Sequence, residues 1–163
     1  GVRVVDLGAA PGGWSQVAAE IVHNGQKGHV VGVDLLDMEP LEGVTLFEGD
    51  FTKPDVVERL KKESGGLVDV VLSDMAPNTT GHTKTDHIRI VALCEEAYVF
   101  ACEILKEDGV FISKVFQGGT EGTLLNDIKR NFQTVKHAKP KASRSGSAEL
   151  YLVATGYKGN AHE

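Results

Sequence analysis

Short apolar runs recur along this chain with amphipathic stretches between most of them, and that alternation admits few folds. VRVVDL (2–7), HVVGVD (29–34), VTLF (44–47) and VDVVLS (68–73) are too short for buried helices and rich in β-branched residues. Each reads as a strand covered on both faces. VFISKVF (110–116), FQTVKH (132–137) and LYLVAT (150–155) extend the series. Helices are expected from about 13 to 22, over Pro54–Lys62 with Thr52 as cap and Pro54 in the first turn, over Ile88–Leu105, and over Gly122–Asn131. Strands joined through helices run parallel in an open α/β sheet with helices on both faces, whereas the last two, joined by a loop alone, pair antiparallel. A chain of 163 residues, 41% hydrophobic, can bury one core, so 1–163 reads as a single Rossmann-like domain. A strand follows Gly1 at once, so the natural N-terminal segment is expected to be missing.

Several classes are disfavoured at once. No apolar run approaches the roughly 20 residues that span a bilayer, and no signal peptide opens the chain. Cys94 and Cys102 lie eight residues apart in a helix-like segment, about 12 Å at the helical rise and too far for a disulfide. Free thiols suit a reducing compartment, so the cytoplasm, or a mitochondrial matrix, is the expected location. There is no CxxC or HExxH, and His82 and His87 sit in a polar loop, so no metal is expected.

Ligands of open α/β sheets bind at the carboxyl ends of the strands, where strand order reverses. Asp6-Leu7-Gly8-Ala9-Ala10-Pro11-Gly12-Gly13-Trp14 occupies that place after the first strand. Glycines such as Gly8 and Gly12 allow a tight turn and close approach of a ligand to the backbone. A dinucleotide site would need glycine where Ala10 stands, and Pro11 removes an N–H donor, so this is a poor phosphate cradle. Asp34, about 20 residues on, can accept hydrogen bonds from ribose hydroxyls. An adenosine ligand without phosphate, S-adenosylmethionine (AdoMet), fits better. Asp50 could accept from its adenine amino group with Phe51 packed nearby; a turn role for Asp50 is the alternative.

Charged residues at other strand ends converge on the same rim. Lys114 inside VFISKVF is out of place in a buried strand without a partner or a task. Adjacent strands would bring it beside Asp74, and Glu149 precedes the last strand. A structural ion-pair network is the competing reading. The net charge of −6 argues against indiscriminate nucleic-acid binding. Yet 128–148 contains no acid and carries Lys129, Arg130, Lys136, Lys139, Lys141 and Arg144, either a solvated face or a phosphate-binding stretch.

The chain resembles the FtsJ-like ribosomal RNA large-subunit 2′-O-methyltransferase family. VVDLGAAPGGWSQ (4–16), VDLLDMEPLEGV (33–44), GDF (49–51), SDMAPN (73–78), KVFQG (114–118) and KP…SR…SAELYLVATG (139–156) carry the resemblance, in family order, over essentially the whole length. It implies an AdoMet-dependent, seven-stranded, mostly parallel sheet with an antiparallel last strand. It also implies methyl transfer to a ribose 2′-hydroxyl, a uridine's, in large-subunit ribosomal RNA. The family's Lys-Asp-Lys-Glu tetrad maps Asp74, Lys114 and Glu149 onto its last three members; its first lysine belongs to a segment ahead of the first strand. Cofactor contacts carry over onto Gly12, Trp14, Asp34, Asp50 and Asp74. Lys114 is then the expected base, oriented by Asp74, with Glu149 steadying the amine or the ribose. Lys136, Lys139, Lys141 and Arg144 are expected to meet RNA phosphates of a ribosomal RNA or particle, with the protein a monomer. Competing readings are a methyltransferase for transfer RNA or a messenger cap, an RNA-binding ribosome-assembly factor with secondary or lost catalysis, and a nicotinamide oxidoreductase disfavoured by Ala10 and Pro11.

Overall fold

The computed structural model describes residues 2–8, 29–35, 39–40, 42–74, 83–116, 122–138 and 149–159. The strands are β1 (Arg3–Leu7), β2 (His29–Asp34), β3 (Val44–Glu48), β4 (Val68–Ser73), β5 (Leu105–Phe116), β6 (Phe132–Ala138) and β7 (Glu149–Tyr157). The helices are α1 (Pro54–Ser64), α2 (Thr83–Ile104) and α3 (Thr123–Asn131). The helix expected at about 13–22 lies outside the described residues.

One sheet of seven strands runs in the order β3-β2-β1-β4-β5-β7-β6. Its strands pair in parallel from β3 through to β5. β7 runs antiparallel to both β5 and β6. The strand order turns between β1 and β4, which opens a crevice there at the carboxyl ends. Val4, Val5 and Leu7 of β1 and Val30, Val31 and Val33 of β2 are all buried, as expected of strands shielded on both faces.

Side-chain alternation divides the core in two. Val5, Leu7, Val31, Val33, Phe111, Val115, Leu152 and Ala154 face the large cluster, where they meet Leu60 of α1, Ala97, Tyr98 and Ala101 of α2 and Ile128 of α3. Val4, Val30 and Leu72 form a smaller cluster on the opposite face, with Val44, Val70 and Ile112 against it. Cys94 is buried and Cys102 half-buried, both as free thiols, and burial pushes both thiols up. Burial likewise pushes the Tyr98 phenol up; its oxygen accepts from Asn131 Nδ2 at 2.6 Å and donates to the Asp127 carbonyl at 3.3 Å, pinning α2 to α3.

Three local expectations need correction. The N-cap of α1 is Lys53, without a side-chain cap bond, and the Thr52 hydroxyl donates instead to Asp50 Oδ1. Pro54 does occupy the first turn, and Gly65 closes the helix at φ 74° with its N–H on the Lys62 carbonyl at 3.2 Å. α2 begins at Thr83 rather than near Ile88; its first residues are polar and carry no apolar period to mark them. β5 begins at Leu105, not Val110: Leu105 pairs with Val68, the chain bows out, and pairing resumes at Val110 opposite Val70. Asp108 takes φ 68° in that bow, and a Cβ on Gly109 would meet the Lys106 carbonyl oxygen at 2.8 Å.

Candidate active site

The strand ends at the switch crevice are tied together by backbone bonds. Gly8 N–H donates to the Val33 carbonyl at 2.9 Å and Asp74 N–H to the Leu7 carbonyl at 3.3 Å, so Gly8 sits between the ends of β2 and β4. Gly8 adopts φ 73°, a conformation that glycine takes without steric cost as the chain leaves β1. Gly49 N–H donates to the Asp34 carbonyl at 2.8 Å, which draws the end of β3 into the same rim.

The rim residues share a face. Asp6 and Asp34 stand in phase with Val4 and Val30 of the smaller cluster, and Asp74 and Lys114 in phase with Leu72 and Ile112. Asp6 is fully buried there. Ser73 and Ser113 are the last register pair of β4 and β5, so Asp74 and Lys114 are the next residues along each strand. Lys114 Nζ lies 3.0 Å from Asp74 Oδ1, with the lysine side chain 13% exposed and the aspartate 22%. The lysine is therefore held in a largely desolvated ion pair, beyond reach of simple escape into water. The expected juxtaposition is present.

Tyr151 joins them, and sequence reasoning missed it. It lies opposite Lys114 in the antiparallel β5–β7 pair, and its hydroxyl donates to Asp74 Oδ1 at 3.3 Å. Its only sequence signal was a place in the register of a strand whose neighbours were unknown. The backbone of Glu149 pairs with Phe116, two residues before Tyr151 in β7 and two after Lys114 in β5, so position 149 is in phase with 151 and 114.

Asp50 shows a turn geometry. Its Oδ1 accepts from the Thr52 hydroxyl at 2.6 Å and the Thr52 N–H at 3.0 Å, and those bonds hold its carboxyl below the usual carboxylate range. Phe51 is buried in the helix-side core and anchors this turn from beneath. Lys136 on β6 is exposed. Gly12, Trp14, Lys139, Lys141 and Arg144 lie outside the described residues. A groove of about 460 Å³ between α1 and α2, lined by Phe51, Val57, Val99 and Glu103 among others, opens on the opposite face and includes none of the charged rim residues. Among the described residues, no cluster of His, Cys, Asp and Glu could hold a metal ion, and no helix is long and apolar enough to cross a membrane.

Carboxylates stand at the ends of β1, β2 and β4 and just after β3. Residues 1–157 match the FtsJ-like methyltransferase family. The chain belongs to that family. A 163-residue alignment at 58% identity covers 98% of the chain and 67% of the "Ribosomal RNA large subunit methyltransferase E" of Paramagnetospirillum magneticum. The chain thus spans about two thirds of that relative. Among solved structures, a chain described as a ribosomal RNA methyltransferase from Plasmodium falciparum superposes with TM-score 0.78 at 28% identity, covering 94% of this chain and 85% of its own. A methyltransferase from Streptococcus mutans, in complex with SAH, shares the fold at TM-score 0.55 and 13% identity, over 94% of this chain and 86% of its own. The seven-stranded sheet with antiparallel β7 is thus the methyltransferase fold that the sequence resemblance implied.

Proposed function

We propose that the chain is the catalytic domain of an AdoMet-dependent RNA methyltransferase that modifies a ribose 2′-hydroxyl, a uridine's, in large-subunit ribosomal RNA. The observation that carries this reading is the Lys114–Asp74 pair, 3.0 Å apart on the rim of the switch crevice. The name of the 58%-identical relative, a ribosomal RNA large subunit methyltransferase, supports the choice of RNA.

AdoMet, when bound, supplies an electrophilic methyl group on a sulfonium. The chain's own residues do the rest. Gly8 and Gly12 let the backbone approach the cofactor, Asp34 accepts from its ribose hydroxyls, and Asp50, steadied by Phe51, faces its adenine; Trp14 packs against it. Asp74 stands at the boundary between cofactor and RNA sites. A ribose hydroxyl is a poor nucleophile, so its proton must leave as the carbon–oxygen bond forms. Lys114, once the ammonium that pairs with Asp74 has given up a proton to solvent, takes the ribose proton on Nζ. Asp74, 3.0 Å away, aims the amine and holds the ammonium once formed. Glu149 steadies the amine or the ribose from β7. Lys136, Lys139, Lys141 and Arg144 bind RNA phosphates ahead of it.

The test is methylation of large ribosomal subunits lacking the modification, using cofactor labelled in the methyl group, with the product nucleoside identified by mass spectrometry. One 2′-O-methyluridine is expected, and Lys114→Ala should abolish it while AdoMet affinity, read by calorimetry, stays within about threefold. Label on a base, or on transfer RNA alone, would refute the assignment.

A further inference from the structure

We propose that Tyr151 is a positioning residue for methyl transfer: its hydroxyl fixes the Asp74 carboxylate in the orientation that aims Lys114 at the ribose. The proposal rests on Lys114 being the base.

Three strands converge on one oxygen atom. Asp74 Oδ1, at the end of β4, receives Lys114 Nζ from β5 at 3.0 Å and the Tyr151 hydroxyl from β7 at 3.3 Å. Tyr151 and Lys114 are direct cross-strand partners, so the phenol and the amine reach the carboxylate from adjoining positions on one face. The neighbours Leu152 and Ala154 are fully buried in the helix-side core. Tyr151 stands on the other face, half-buried, with its polar tip turned to the ion pair.

A carboxylate turns about its own Cβ–Cγ bond, and a lysine reaches it through four rotatable bonds. An ion pair between two such groups sets a distance without setting a direction. A tyrosine has only two side-chain torsions, and a strand holds it at a fixed register, so it supplies the missing orientation. The 3.3 Å separation is long for an O–H···O bond, and catalytic hydrogen bonds often tighten once substrates are bound. The contribution should therefore appear in the rate of the loaded enzyme more than in its assembly. A displacement of about 1 Å near a reacting group can cost about 10²-fold in rate, and a loosened carboxylate is a smaller fault, worth about 10-fold.

Tyr151→Phe keeps the ring and removes only the hydroxyl. In single-turnover reactions at saturating AdoMet and ribosomal RNA, the methyl-transfer rate should fall about 10-fold. The dissociation constants for both ligands should stay within about twofold and the melting temperature within about 2 °C. A rate within twofold of the parent overturns the proposal. So does a rate loss matched by equal weakening of AdoMet or RNA binding, which would mark a merely structural residue. Lys114→Ala, assayed alongside, separates the two levels. If it still transfers methyl groups, the base assignment fails. If it is inactive and Tyr151→Phe runs at full rate, only the role of Tyr151 is lost.

Discussion

Replacing Lys114 by methionine keeps the bulk of the side chain and deletes its charge, leaving Asp74 with the Tyr151 hydroxyl and no cation from β5. At 3.0 Å and an effective dielectric of about 20, the attraction between the two charges is on the order of 5 kcal/mol. Most of that is offset by desolvation, since the lysine is 13% and the aspartate 22% exposed. Removing one partner of a fully buried pair costs about 3–5 kcal/mol, and of an exposed pair about 0–1. This pair lies between those limits, and about 2 kcal/mol is expected. For a domain of 163 residues that is a fall in melting temperature of about 4–8 °C. Asp74→Asn in the same chain removes the stranded charge, so the double variant should recover at least about 1 kcal/mol relative to additivity. Turnover should not return with it, because no base has been restored. Thermal melts of the four proteins, followed by circular dichroism, give the coupling; single-turnover methylation gives the rates. Additivity within about 0.3 kcal/mol would mean that the ion pair does not form in solution. Methyl transfer by Lys114→Met within tenfold of the parent would remove Lys114 as the base.

Other residues make independent predictions. Asp34→Ala should weaken AdoMet binding by about 10–100-fold in calorimetry, the equivalent of losing a charge-assisted hydrogen bond, and an unchanged affinity would take Asp34 out of the cofactor site. The Thr52 hydroxyl is the first cause of the lowered Asp50 pKa, so Thr52→Val should raise the Asp50 titration midpoint, read by carboxyl carbon NMR, toward 3.8. Because the folded pKa is depressed, the stability that Asp50 contributes is present above its unfolded pKa and lost as pH falls through the folded value. In Thr52→Val this acid-side loss should diminish, and an unmoved midpoint would contradict the bond. Gly156 holds φ 74°, and a Cβ there would lie 2.9 Å from the Gln133 side chain, so Gly156→Ala should cost about 1–3 kcal/mol and several degrees of melting temperature. No loss would mean that β7 can shift its register there.

The pairing of Lys114 with Asp74 was legible because its residues break local rules. A lysine between Ile112 and Phe116, an aspartate closing each of two valine-rich runs and a glycine-rich turn after the first strand are each anomalous in a buried sheet. Their shared placement at carboxyl ends follows from parallel topology alone. The start of α2 at Thr83 was illegible because polar residues carry no period, and the bow at Lys106–Gly109 because its anomaly is a register shift against β4. Thr52 is a cap-type residue, yet α1 takes Lys53 as its N-cap, and the Thr52 hydroxyl one residue earlier donates to Asp50.

By itself the sequence placed the strands and the described helices apart from the starts of α2 and β5, and set Asp34, Asp74 and Lys114 near strand ends, since periodicity and end signals are properties of neighbouring residues. Tertiary structure alone decided that β7 inserts between β5 and β6, and that its register sets Tyr151 rather than Leu150 or Leu152 opposite Lys114. A slip of one residue in that pairing would turn the phenol into the helix-side core. Such registers depend on contacts between segments dozens of residues apart, and no local pattern of residues encodes them.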